Sequence, residues 1–273
     1  MSIATAPAKG LSRPAAGART GGLGSVLAFV GLSVGLAAAA TLGGVSPALV
    51  PFVLALGPTI LALFFAWREG DGAARRLAAM AIHRPRRRAW YALVILPIAW
   101  ALSVVAVAIA LGDPAIGVFD KVFPAILFIP LLVLIPAFAE EMAWRGYAVS
   151  RLLPTMTPLA AALVLGIPWA AMHLFLQLPG QMNAGLDWWP TIVSLLSYSV
   201  ILTWAFVGSG GSVLLVALLH AGLNGVAPLM AGLDVDRTWI IRAALTASIA
   251  LAIVVLGGFR RLDTRPVTDQ LHR

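Results

Sequence analysis

Two adjacent carboxylates, Glu140 and Glu141, stand inside an apolar run, Pro136-Ala-Phe-Ala-Glu-Glu-Met-Ala-Trp-Arg-Gly146. Two imidazoles, His173 and His220, are each embedded in another apolar stretch, and Asn224 follows His220 by four residues. A carboxylate beside an imidazole in a sheltered cavity can hold and deprotonate a water. A second imidazole and an amide can stabilise an oxyanion, and together these are the parts needed for amide hydrolysis. The set Glu140, His173 and His220 could equally bind Zn²⁺ or another divalent metal with one open position, and the sequence leaves the two chemistries open.

Helical spacing supplies partners for these groups. Glu141 and Arg145 are at i and i+4 with the acid amino-terminal, the better orientation for a helical ion pair, so Glu141 is expected to neutralise Arg145. Glu140 projects about 100° away around the helix and is expected to be free for other work. His220 and Asn224 are again at i and i+4, so imidazole and carboxamide share a face. The other nine of the eleven carboxylates, among them Glu69 and Asp113, fall in loops, tails or span ends, and of the four histidines His83 and His272 lie in a basic loop and a tail.

The elements that must position these groups are membrane helices. Of the 273 residues 60% are hydrophobic and 11% charged, with mean hydropathy +0.94, against roughly 45–50% and 25% in a soluble domain. Apolar stretches of about 20 residues, enough to cross a bilayer core, run over Leu23–Gly44, Ala48–Trp67, Ala89–Leu111, Val122–Arg151, Pro158–Leu178, Pro190–Val207, Val213–Leu233 and Trp239–Phe259. The expected fold is an all-α, polytopic bundle of about eight transmembrane helices. If the fourth helix continues to about Leu153, then at 1.5 Å per residue Glu140 lies roughly 20 Å above the inner turn, His173 roughly 22 Å and Asn224 roughly 19 Å, so the groups can meet within the membrane.

The formal net charge is +8, but position decides what it means. With the amino terminus inside, all of the 19 cations except Lys121, Arg237 and Arg242 fall on inner segments, so the positive-inside rule places both termini in the cytoplasm. Charge therefore reports topology, and no nucleic-acid partner is expected. The Arg-rich stretch Arg68–Arg88 reads as a solvated inner loop touching anionic headgroups. The absence of cysteine excludes disulfides, a thiol nucleophile and thiolate metal sites. There is no His-Glu-x-x-His helix, no Gly-x-Gly-Asp and no Gly-x-Ser-Gly, and Ser209 and Ser212 read as turn residues.

Three short motifs then resemble those of one family. Glu140-Glu-Met-Ala-Trp-Arg145-Gly-Tyr looks like the Glu-Glu-x-x-x-Arg motif of the CPBP intramembrane proteases (CAAX protease and bacteriocin processing, or Abi), which include the type II CAAX prenyl endopeptidases. Trp169-Ala-Ala-Met-His173 is similar to the family's second motif, usually Phe-x-x-x-His, and His220-Ala-Gly-Leu-Asn224 to its third, His-x-x-x-Asn. The resemblance covers about Phe123 to Val226. It implies Glu140 as the water-activating base, Glu141 and Arg145 as its support, and His173 as a water or metal partner. His220 and Asn224 would be oxyanion stabilisers or ligands. Trp169 in place of Phe is a departure that bears on cavity shape more than on catalysis.

The expected organisation is a disordered cytoplasmic tail over 1–22, transmembrane helices over 23–122, the catalytic core over 123–226, a last transmembrane region over 227–259 and a cytoplasmic tail over 260–273. A cleaved signal peptide is the competing reading of the first apolar run, which is long for an h-region. The expected activity is that of a multi-pass endopeptidase of a bacterial plasma membrane, whose partners are the lipid bilayer and a peptide or membrane-protein substrate. The competing functions are a proton- or cation-coupled transporter, against which the ionisable groups of the second half have no counterpart in the first, and a non-catalytic scaffold or immunity protein.

Overall fold

The computed structural model describes residues 18–114, 125–230, 232–262 and 265–272, and they contain helices but no strand. The order is α1 (Ala18–Leu42), α2 (Val50–Glu69), α3 (Ala73–Ile82), a 3₁₀ turn Arg88–Ile95 leading into α4 (Leu96–Ala110), α5 (Ala125–Glu141), a π-helical stretch Met142–Val149 and the short α6 (Ser150–Leu152). Then follow α7 (Pro158–Leu174), α8 (Trp188–Gly208), α9 (Val213–Gly225), α10 (Val235–Val255) and α11 (Arg265–His272). Seven helices among the described residues are long and apolar enough to cross a membrane. They match seven of the eight expected spans. The remaining one, Val122–Arg151, is helical from Ala125 through Leu152, changing its winding at Met142.

Local signals set the starts. Thr157 caps α7 by accepting the Ala160 N–H (3.2 Å) ahead of Pro158, Ser212 caps α9 through the Leu215 N–H (3.2 Å), and Asp234 caps α10 through the Arg237 N–H (2.8 Å). Ser212 is thus more than a turn residue; its hydroxyl also donates to the His83 carbonyl at 2.5 Å.

α8 and α9 are the inner helices, with 67% and 61% of their spans buried, against 28% for α1 and α10. α5 packs between α2 and α9, and α7 lies along α8. Small residues permit that approach: a Cβ on Gly166 would stand 3.0 Å from that of Ser199, whose hydroxyl donates to the Ala162 carbonyl at 2.7 Å. Without a hydrophobic driving force between helices in lipid, such close contacts and interhelical hydrogen bonds carry the association.

Three expectations change. The Arg68–Arg88 stretch is not simply a solvated loop, because α3 forms within it. Ala73, Leu77, Met80 and Ala81, at helical spacing, turn inward and are buried, while the arginines stay outside. Secondly, α1 begins at Ala18, inside the segment expected to be a tail; the rest of that tail, 1–17, lies outside the described residues. Thirdly, Glu69 is not an isolated span-end acid. It accepts from Arg151 Nε and the Tyr147 hydroxyl, both at 2.9 Å, and the Arg151 guanidinium sits 3.8 Å from the Tyr147 ring centre. This latch ties α2 to the lower end of the fourth span.

Candidate active site

The winding change falls at the motif itself. α5 ends on Glu141 and the next eight residues, Met142–Val149, are π-helical, a rare conformation that is frequent at functional sites. At that junction Thr59 of α2 donates its hydroxyl to the Ala139 carbonyl at 2.6 Å, so a neighbouring helix holds the backbone just ahead of the two acids. Gly146 leaves no Cβ where one would meet Leu77 at 2.9 Å and Val213 at 3.2 Å, which lets α3 and α9 close on the π stretch.

Glu141 is fully buried, and its Oε1 accepts from Arg145 Nη1 at 2.9 Å and from His220 Nδ1 at 2.8 Å. The expected i, i+4 pair is present, and α9 adds a third member. Burying a cation and an anion at this depth is costly unless each has a partner, and Glu141 provides one for Arg145 of the π-helical stretch while also accepting from His220 of α9. A carboxylate behind Nδ1 also orients the His220 ring and leaves Nε2 for a second partner.

Glu140 is buried but not free, as its Oε2 accepts the Trp169 indole N–H at 2.9 Å. His173, one turn on, is half-buried, and its Nδ1 lies 2.8 Å from the Trp169 carbonyl. A carbonyl can only accept, so Nδ1 carries the proton and Nε2 is the open nitrogen. The Trp169 ring makes T-shaped contacts with His173 (5.4 Å) and His220 (5.7 Å), and Arg145 lies over it at 4.6 Å. Asn224 is exposed near the end of α9, one turn past His220, and its carboxamide bonds to no other described residue.

Glu140, Glu141, Arg145 and His220 are therefore brought together through direct bonds or through Trp169, His173 adjoins them through the same residue, and Asn224 stands at the open edge. Among the described residues no three His, Asp or Glu side chains converge as a metal-holding group. Of the expected metal donors, Glu140 already accepts the Trp169 N–H through one oxygen, and both imidazoles pack against the Trp169 ring with Nδ1 engaged elsewhere.

The sequence reading missed Trp169 and Thr59 as site residues. Both follow a proline inside a helix, Pro168 in α7 and Pro58 in α2. Each proline removes an N–H and loosens its helix at that point, so a polar side chain directly after an interior proline was a usable signal. In the outer loop, Gln177 Nε2 donates to Thr191 Oγ1 at 2.7 Å, and Trp188 and Trp189 stand exposed at the start of α8.

Two comparisons bear on this geometry. Residues 122–226 match the family described as Type II CAAX prenyl endopeptidase Rce1-like. CAAX prenyl protease 2 of Methanococcus maripaludis is 28% identical over 147 residues, covering 50% of this chain and 51% of that protein. The chain thus spans about half the length of the curated relative it matches.

Proposed function

We propose, from the match of residues 122–226 to the Rce1-like CAAX prenyl endopeptidase family, that this multi-pass membrane protein is an endopeptidase that cleaves a peptide bond of a lipidated or membrane-associated polypeptide with a Glu140-activated water. The observation that carries the reading is the meeting of two carboxylates from α5 with an imidazole from α9 and an indole from α7 inside one helical bundle. Packing alone has no need of so costly a cluster.

In this mechanism Glu140 keeps one oxygen, Oε1, for a water that His173 Nε2 also holds. Glu140 takes a proton as the water oxygen attacks the scissile carbonyl. The resulting oxyanion accepts from the Asn224 carboxamide N–H and from the Nε2–H of His220 as an imidazolium, which enters the step already protonated with Glu141 balancing its charge. Glu140 then returns its proton to the departing amine, and the C–N bond breaks to give a new carboxyl and a new amino terminus. General base catalysis contributes typically 10²–10⁴-fold, and loss of one oxyanion donor costs about 10²–10³-fold in known cases. The relative's name points to the carboxyl-terminal segment after a prenylated cysteine as one substrate class.

The test compares peptide termini, by mass spectrometry, in membranes of a deletion strain expressing wild type or Glu140→Gln at equal levels. The proposal expects specific termini that appear only with wild type. If none differs while Glu140→Gln rescues the deletion phenotype, the protein acts without proteolysis.

A further inference from the structure

The Trp169 indole N–H is the donor that Glu140 meets, and a Phe at this position has no such group. The side chain is 1% exposed, with its N–H directed at the acid, its ring under the Arg145 guanidinium and both imidazoles in T-shaped contact with it. Its own backbone carbonyl orients His173. One residue therefore touches every ionisable member of the cluster except Glu141, which it reaches through Arg145 and His220.

Resting on the endopeptidase reading above, we propose that Trp169 is the positioning residue of the site: its N–H anchors Glu140 Oε2 so that Oε1 faces the water, and its ring spaces Glu140 from the two imidazoles. Three physical arguments support this. A carboxylate on a Glu side chain has three rotatable bonds, and Oε2 is the only one of its two oxygens with a described partner. A bond that fixes one oxygen fixes the direction of the other. The benefit of the bond lies in orientation, which misplacement by about 1 Å can degrade 10²-fold. Finally, Pro168 precedes Trp169 and frees the carbonyl of Val164 from its usual intrahelical bond, which gives α7 the local freedom to bring the indole to α5.

The role divides into two parts that separate by substitution. Trp169→Phe keeps an aromatic ring and loses the N–H. Replacement of Trp169 by benzothienylalanine, a near-isostere with sulfur in place of N–H, keeps the full bicyclic shape. Trp169→Leu loses both.

The experiment measures kcat and KM for a farnesylated Cys-a-a-X reporter peptide, using the full-length protein in liposomes, with wild type, the three variants and Glu140→Gln. Proper folding is checked by monodisperse elution. The proposal expects the benzothienylalanine variant and Trp169→Phe to lose kcat by about tenfold to hundredfold, the range set by a hydrogen bond to a charged group, with KM changed less than twofold. Trp169→Leu falls further. If the benzothienylalanine variant keeps wild-type kcat, the N–H does not position Glu140 and the proposal is overturned while the endopeptidase reading stands. A change confined to KM overturns it as well, because it would place Trp169 in peptide binding. If wild type leaves the reporter intact, or Glu140→Gln cleaves it as fast, the endopeptidase reading and the proposal fall together.

Discussion

Replacing Arg145 by Met leaves the Glu141 carboxylate buried with His220 against it but without its cation, and replacing Glu141 by Gln leaves the Arg145 guanidinium buried over the Trp169 ring without its directly bonded carboxylate. Each single change is expected to destabilise the protein by about 3–5 kcal/mol, because the remaining charge has lost its partner. The double variant removes both charges and should recover a large part of that loss. Thermal unfolding in detergent, followed for all three, checks this; additive losses would show that the pair is not coupled. Glu140→Gln is the opposite case. It keeps an acceptor oxygen for the Trp169 N–H, so stability should stay within about 1 kcal/mol of wild type while cleavage disappears. The candidate residues were legible in the sequence because ionisable groups in apolar spans are few; i, i+4 spacing named the Glu141–Arg145 pair but not the bond between His220 and Glu141. The bond from Trp169 was not, since an aromatic at that position reads first as packing.

At the scale of elements, the π stretch and α3 act on one another. A methyl on Gly146 would press into Leu77 and Val213, so Gly146→Ala is expected to cost about 1–3 kcal/mol through overpacking. Adding Leu77→Ala should return part of it, although alone Leu77→Ala removes a fully buried side chain and should cost about 2–5 kcal/mol. A Gly146→Ala protein as stable as wild type would mean that α3 packs elsewhere. Thr59→Val keeps the shape but removes the hydroxyl bonded to the Ala139 carbonyl, and about 1 kcal/mol should follow. The helix spans were legible to within a few residues because length and hydropathy determine them. α3 was not read, although its apolar positions 73, 77, 80 and 81 have helical spacing, because the arginines around them dominate the composition of the segment. The π winding has no signature in hydropathy at all, and the residues that pack against it or brace the turn before it, Thr59, Leu77 and Val213, are distant in sequence.

For the whole molecule, the sequence-level expectation is a bundle with both ends and the basic segments on the cytoplasmic side, and α5 crossing with its carboxylates at depth. The chain has no cysteine, so single cysteines report topology without background. A cysteine at Arg84 should react with a membrane-impermeant maleimide only from the inner side, and one at Met182 only from the outer side. Labelling of both from the same side would contradict the orientation read from charge. The latch of Glu69, Tyr147 and Arg151 ties the end of α2 to the C-terminal end of the fourth span, while the start of α10 is held by the ion pair of Arg237 with Asp113. Between these two fixed ends the carboxylates, imidazoles and indole occupy the middle of the bundle, and that placement is what the proposed chemistry requires.

The measurement that tests the central claim most directly is hydrolysis by the purified, full-length protein in liposomes, in water enriched in ¹⁸O, of a farnesylated peptide ending in Cys-a-a-X. The account predicts release of the carboxyl-terminal tripeptide by wild type, one ¹⁸O in the new carboxyl group in the first turnover, and no release by Glu140→Gln. Release at the wild-type rate by Glu140→Gln, or a first-turnover product without ¹⁸O, would contradict it.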